Sequence, residues 1–241
     1  MTPDEAYVVL PMDRNRRAVG RAMRAAVSEM PHVTLHRRAD ATALLAARIS
    51  LAAAVEGDGG PRLTLTVLLA RIVANTLRAF PRVNGRTEEG EIRLYKRVNL
   101  GLAVALEDGL TVPVLHDADG KDLRQLTADL ADVSARARAG SLKLPDLIDG
   151  TFTLSNLGAY GVEFFTPLIN PPQLAILGVG AVCQELRLDD GVPVSVPMLH
   201  LSMGFDHAAM DGAQAARFLQ LVVQSVESPD AVLRDHHAAV L

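Results

Sequence analysis

The 241-residue chain carries 24 basic against 28 acidic residues, a net charge of −4 with no long run of either sign, which excludes an electrostatic case for nucleic acid or an anionic membrane as partner. Its 49% hydrophobic content is enough for a substantial core, and we read one domain over 1–241. The single cysteine, Cys183, excludes an intramolecular disulfide framework and reads as a small apolar filler. With no charged-then-apolar leader, the expected compartment is a reducing cytoplasm.

After an extended lead-in over 1–11, Val19, Met23, Val27 and Met30 recur at helical spacing, with Arg16, Arg17, Arg21 and Arg24 on the other sides. Pro31 ends that helix, and residues 32–39 alternate as a strand. His32 and His36 would lie roughly 13 Å apart in such a strand, too far to share a metal, and no metal is expected. A helix over about 41–55 follows, ended by Gly57-Asp-Gly-Gly-Pro61. The next helix, 63–80, is the most apolar of the chain. Interrupted by Arg71, Asn75 and Arg78, it is too short and too charged to span a bilayer and reads as a core helix.

Strands are predicted over 92–95, 99–106 and 110–115, the last two joined by a turn at Glu107-Asp-Gly109. Leu123, Leu126, Leu130, Val133 and Ala137 then mark an amphipathic helix that stops at Gly140. Strands at 151–154 and 174–179 follow, with a hairpin around Asp189-Asp-Gly191. Gly178-Val-Gly180 lacks the third glycine and the following helix of a dinucleotide fingerprint. The interleaved elements predict a single α/β sandwich, a mixed sheet with helices packed on one side.

From Met198 to Phe205 the residues Leu199, Leu201, Met203 and Phe205 share one face, with His200, Ser202 and Gly204 on the other. After Gly212 the apolar set Ala216, Leu219, Val222, Val223 and Val226 takes helical spacing. The turn between the two carries His207 and Asp211. A histidine held where rigid elements meet can act as a general base, because its pKa lies near neutrality and its neighbours fix its geometry. Ser155-Asn156 before Gly158 reads, from the residues alone, as a polar turn after a strand.

His207-x-x-x-Asp211-Gly212 followed by Ala-x-Ala-Ala-Arg-Phe-Leu resembles the C-terminal signature of the acyltransferase (E2) catalytic domain of 2-oxo acid dehydrogenase complexes, a shorter form of which occurs in chloramphenicol acetyltransferase. Further blocks follow in family order: Pro31-His-Val-Thr-Leu35, Phe80-Pro81 with Asn84, Gly109-Leu-Thr-Val-Pro-Val114, Gly150-Thr-Phe-Thr-Leu-Ser-Asn-Leu-Gly158, and the run from Phe165 to Gly178.

The resemblance implies a chloramphenicol acetyltransferase-like two-layer sandwich and acyl transfer with acetyl-CoA as co-substrate. It makes His207 the general base, gives the oxyanion to the Ser155 hydroxyl, and uses Asp211 to fix the turn, braced by an Arg16–Asp211 ion pair. It also implies a homotrimer, with the histidine of one subunit facing the serine of the next across a channel lined by 109–114 and 165–172, and possible assembly into a 24-mer through the C-terminal residues.

Departures from the family put the acceptor in doubt. No lipoyl or subunit-binding domain fits before Arg14, so no covalent lipoyl group is expected. Ala208 follows the histidine where the family has arginine, and Arg38 stands where it usually has an acidic residue. The leading expectation is therefore O-acetylation of a small-molecule hydroxyl, similar to stand-alone enzymes of tetronate-type natural-product pathways. The alternatives are an E2 core served by lipoyl domains in trans, and a structural trimer whose site has decayed.

Overall fold

The computed structural model describes residues 7–106 and 109–233. Among the described residues six α-helices, α1 (Arg14–Glu29), α2 (Thr42–Glu56), α3 (Leu65–Ala79), α4 (Leu123–Arg138), α5 (Gly212–Glu227) and α6 (Asp230–Leu233), accompany nine strands. The main sheet runs in the order β1 (His32–Asp40), β9 (Val192–Asp206), β8 (Ala175–Asp189), β7 (Phe152–Asn156), β4 (Leu100–Leu106) and β5 (Gly109–Thr111), with β6 (Val114–Leu115) also paired to β4. It is mixed: β4, β7 and β8 run parallel, whereas β1, β9, β5 and β6 pair antiparallel. β2 (Gly85–Glu88) and β3 (Glu91–Leu94) form a separate ribbon.

The two faces of the sheet are covered differently. Ala175, Leu177 and Val179 of β8, with Leu199, Leu201, Met203 and Phe205 of β9, point into the main core, as a two-residue period requires. Helices α2 to α5 supply its other half. Ten residues of α3 are buried, and Phe218 of α5 packs its ring against Phe80 and Phe152. Arg71 is also buried, donating to the carbonyls of Lys121 and Val232, which explains a charge within a core helix.

The opposite face is crossed by an extended strap, residues 162–173. Glycine lets the strap approach closely: a Cβ on Gly204 would stand 2.7 Å from the Pro167 carbonyl oxygen, and one on Gly180 would collide with the Glu163 carbonyl. The C-terminal end of α1 packs here too, through Ala26 and Met30 against Ile169 and Ile176. The expected stripe of that helix is therefore corrected: Val27 is 63% exposed, because Ala26 and Met30, not Val27, turn toward the sheet. On α5, likewise, Ala215 and Phe218 face the core while Ala216 is exposed.

Local chemistry sets the helix starts. Asp122 and Gln125 form a reciprocal capping box at α4, Thr64 accepts from the Val67 N–H at α3, and Asp13 accepts from Arg16 at α1. Asn84 is buried and donates to the carbonyls of Tyr95 and Arg97, fixing the path from the ribbon into β4. Pro113, which has no N–H, splits the predicted 110–115 strand into β5 and β6. The strands β8 and β9 reach much further than predicted, to a turn at Asp190-Gly191 where both residues have positive φ. No described helix is long and apolar enough to cross a membrane.

Candidate active site

Ser155 lies near the carboxyl end of β7, flanked by β4 and β8 through its pairing with Ala103 and Gly178. A cleft of about 360 Å³ opens at the carboxyl ends of β4 and β7 and includes Ser155, Asn156, Thr64, Thr66, Arg138 and Tyr160 in its lining. Ligands commonly bind outside the carboxyl ends of strands in α/β sheets. Among the described residues the lining of the cleft holds one cation, Arg138, and no acid. Asn156 ties the strand end to the start of α3 by donating to the Thr66 hydroxyl at 3.0 Å, and its side-chain oxygen accepts from Gly158 N–H at 2.9 Å. The turn after Ser155 is thereby held while the serine hydroxyl is left facing a cleft.

His207 follows the last residue of β9. Its backbone N–H donates to the Pro31 carbonyl at 2.8 Å, while its side chain is exposed beside the Phe205 ring, centroids 5.5 Å apart. Asp206 is buried and organises the turn: its side chain accepts from Ala208 N–H, and its carbonyl accepts from the Ala209 and Met210 amides. Asp211 occupies the N-cap of α5, yet its carboxylate makes no capping bond and stays exposed. The expected Arg16–Asp211 ion pair does not form among the described residues. Only the far end of α1 is anchored to the sheet, which leaves Arg16 in solvent.

One protomer does not bring Ser155 and His207 together. Ser155 pairs with Gly178, and Gly178 with Ser202, five residues before His207 along β9. At about 3.3 Å per residue and 4.8 Å per strand, the two α-carbons stand roughly 19 Å apart. Groups that act on one carbonyl must lie within hydrogen-bonding reach of it. Within one chain, therefore, Ser155 and His207 cannot act on the same carbonyl.

The expected channel segments fall in two places. Leu110 lines the cleft at Ser155, whereas Val114 and Pro171–Pro172 line a second hollow of about 350 Å³ with Arg86 and Gly150. His32 and His36 take separate partners. His32 Nε2 accepts from the Ile169 N–H at 3.0 Å and Nδ1 donates to the Met30 carbonyl, whereas His36 Nδ1 bonds Ser202 at 2.8 Å.

Beneath the strap lies a polar cluster that the sequence reading missed. Phe164 stacks on His200, ring centroids 4.2 Å apart, and meets His36 edge-on. Arg38 is paired to Glu185 at 3.0 Å, and Glu185 lies 3.5 Å from His200 Nε2. Burial acts to raise the Glu185 carboxyl, but Arg38 and His200 outweigh it and hold it below its ordinary value. Cys183 is half-buried beside Glu163: burial pushes its thiol up, and Glu163 and Glu185 add to the effect. The available signal was the alternation of His200, Ser202 and Gly204, which looks solvent-facing until a covering segment is known.

Residues 4–234 match the family model of the 2-oxoacid dehydrogenases acyltransferase (catalytic domain). The chain belongs to that family. It is 35% identical over 224 residues to the dihydrolipoyllysine-residue acetyltransferase component of the acetoin cleaving system of Bacillus subtilis (strain 168), covering 93% of this chain and 56% of that protein. It thus spans little more than half the length of that relative. The dihydrolipoamide acetyltransferase of Azotobacter vinelandii superposes with a TM-score of 0.89 at 34% identity over 94% of each chain, and the cubic core of a pyruvate dehydrogenase multienzyme complex does so with the same figures. Chloramphenicol acetyltransferase, 13% identical with a TM-score of 0.51 over 86% of this chain and 92% of that one, shares the fold.

The Azotobacter structure concerns the catalytic roles of a serine, a histidine and an asparagine, which stand 52 and then 4 residues apart. Ser155, His207 and Asp211 of this acyltransferase-family chain stand at the same intervals of 52 and 4 residues, with aspartate in the third place.

Proposed function

We propose that the protein is an acyltransferase that moves an acetyl group between CoA and the thiol of a dihydrolipoyl group, using Ser155 of one subunit and His207 of its neighbour. The observation that carries this reading is the pair of half-sites: an exposed histidine on a fixed turn and a serine at a cleft, about 19 Å apart in one chain. Their 52-residue interval, equal to that of the serine and histidine studied in the Azotobacter enzyme, supports the assignment. So does membership of a family whose relatives are dihydrolipoyllysine acetyltransferases.

In the forward step the His207 imidazole takes the proton of the acceptor thiol, whose sulfur attacks the thioester carbonyl carbon of acetyl-CoA. The Ser155 hydroxyl donates to the oxyanion that develops as the carbonyl π pair moves to oxygen. Collapse of the tetrahedral intermediate re-forms the carbonyl and breaks the bond to CoA sulfur. The departing thiolate takes the proton back from the imidazolium, leaving free CoA and an S-acetyl product. Asp211, whose carboxylate is not used to cap α5, would fix the turn. The cleft at Ser155, with Arg138 in its lining, suits an acyl donor that carries phosphates.

A trimer is the smallest assembly the reading invokes, and a cubic 24-mer is open to it, since solved relatives include a cubic core. A second reading, O-acetylation of a small-molecule hydroxyl, keeps the same Ser155 and His207 chemistry. Arg38 and Ala208, where the family usually has other residues, favour it. The relatives favour the dihydrolipoyl acceptor.

The test is free-CoA release from acetyl-CoA with dihydrolipoamide in one vessel and a hydroxymethyl tetronate in another, each beside His207→Ala and Ser155→Ala. Turnover with dihydrolipoamide is expected, with Ser155→Ala about 10²- to 10³-fold slower and His207→Ala about 10²- to 10⁴-fold slower. Turnover with the hydroxyl acceptor alone would replace the first reading by the second. Wild-type rates in both variants would remove both readings.

A further inference from the structure

Midway along β9, under the strap, three side chains of different ligand chemistry converge. A Glu163 carboxylate oxygen, the Cys183 sulfur and a ring nitrogen of His200 all lie within 4.8 Å of one another. Each is delivered by a different segment: Glu163 by the strap, Cys183 by β8 and His200 by β9. The strand bulge between Val179 and Val182 sets the register there, pairing Cys183 with Met198 two residues before His200. Cys183 is five residues beyond Gly178, the partner of Ser155, so the cluster stands roughly 17 Å from the proposed oxyanion donor.

The state of His200 is a second, independent observation. Its side chain is 3% exposed, and Nε2 faces Glu185 at 3.5 Å. Its Nδ1 is buried with no hydrogen-bond partner. A buried ring nitrogen without a partner forfeits its hydration, and native structures rarely leave one so. An imidazole with one nitrogen toward a carboxylate and the other free is also the arrangement by which metal-binding histidines are usually oriented.

We propose that Glu163, Cys183 and His200 form a binding site for a zinc-class divalent cation, with water completing a tetrahedron. Thiolate, imidazole and carboxylate together select a borderline-soft ion over magnesium or calcium, which prefer all-oxygen sites. Ligand bonds of 2.0–2.3 Å would set the three atoms about 3.5 Å apart, so side-chain rotation must close the cluster by about an ångström. Binding displaces the Cys183 proton, so affinity falls as pH is lowered. Charge is balanced locally: Arg38 neutralises Glu185, leaving Glu163 and the thiolate to face the cation. The site would staple the strap to β8 and β9 without touching Ser155 or His207.

Because Cys183 is the sole cysteine of the sequence, spectroscopy reports on it directly. Chelator-treated full-length protein is titrated with Co²⁺, then competed with Zn²⁺. The expected result is one cobalt per chain, with tetrahedral d–d bands and a thiolate-to-cobalt charge-transfer band that Zn²⁺ abolishes. Cys183→Ser should lose the charge-transfer band, and Glu163→Gln, an exposed change that spares folding, should bind at least ~10-fold more weakly. Glu185→Gln, which frees His200 Nε2, should weaken binding about 10- to 100-fold. Absence of a charge-transfer band at one equivalent overturns the proposal. So does wild-type affinity in both Glu163→Gln and His200→Gln, which would mean adventitious binding by the thiol alone.

Discussion

The backbone N–H of His207 donates to the carbonyl of Pro31, the residue before β1, at 2.8 Å. The proposed base is therefore located by the first strand, 176 positions earlier in sequence, and not by α5 alone. The next residue, His32, fastens the same corner to the strap: Nε2 accepts from the amide of fully buried Ile169, and Nδ1 donates to Met30. Only the Nδ1–H tautomer satisfies both partners.

Removing that imidazole should be costly although it touches no substrate. In His32→Ala the buried Ile169 N–H loses its acceptor, for about 1–3 kcal/mol of stability. His32→Gln, whose amide oxygen can accept, should recover part of this. Urea midpoints check it, and a wild-type midpoint for His32→Ala would show that the strap does not depend on this bond.

Close approach of the strap makes a second prediction. Gly180→Ala places a methyl against the Glu163 carbonyl, and since backbone must move the expected loss is about 1–3 kcal/mol. Gly120→Ala, with nothing within 4 Å of the new Cβ, should stay within about 0.5 kcal/mol of wild type. Equal midpoints for the two variants would mean that the strap is not pressed onto β8.

These contacts also mark where the sequence was legible. Periodicity found α3 and α4 almost to the residue, because Thr64, Pro81 and the Asp122–Gln125 box are local punctuation. It cut β8 short at Val179, because Gln184 to Asp189 extend into an exposed hairpin with no buried face to alternate against, Leu186 and Leu188 lying 80% and 76% exposed. His200 and Ser202 read as a polar outer face, and only the strap, a non-local covering, buries them. The motif residues Ser155, His207 and Asp211 stood out in sequence. Their separation did not, since it depends on which strands lie between them.

Acid should probe the corner between α4 and the loop after it. Asp146 accepts from the Arg136 guanidinium and from Lys143 N–H, and first Arg136, then Lys143, hold its carboxyl below the ordinary value of 3.8. The folded state thus binds fewer protons than the unfolded chain in this range, so stability rises with pH across it. The contribution is complete above the ordinary carboxylate range and disappears as pH falls through the depressed value. Asp146→Asn should be less stable than wild type at pH 7, by a small amount because the pair is only half-buried and partly screened by solvent, and the gap should close by about pH 2. A gap in the urea midpoint that is constant with pH would show that the ion pair contributes nothing.

The division of the proposed site between copies gives the sharpest prediction. Ser155→Ala and His207→Ala should each be nearly inactive alone, yet neither residue lies in the main core, so both variants should assemble. If a site takes its serine from one subunit and its histidine from the next around a ring, random mixing of the two variants leaves about a quarter of the sites with both groups intact. Co-expression should therefore restore about a quarter of wild-type turnover per chain, and simple mixing of preformed trimers should restore none until subunits exchange. A site contained in one protomer would give no rescue at any mixing ratio, because every chain would carry one broken half.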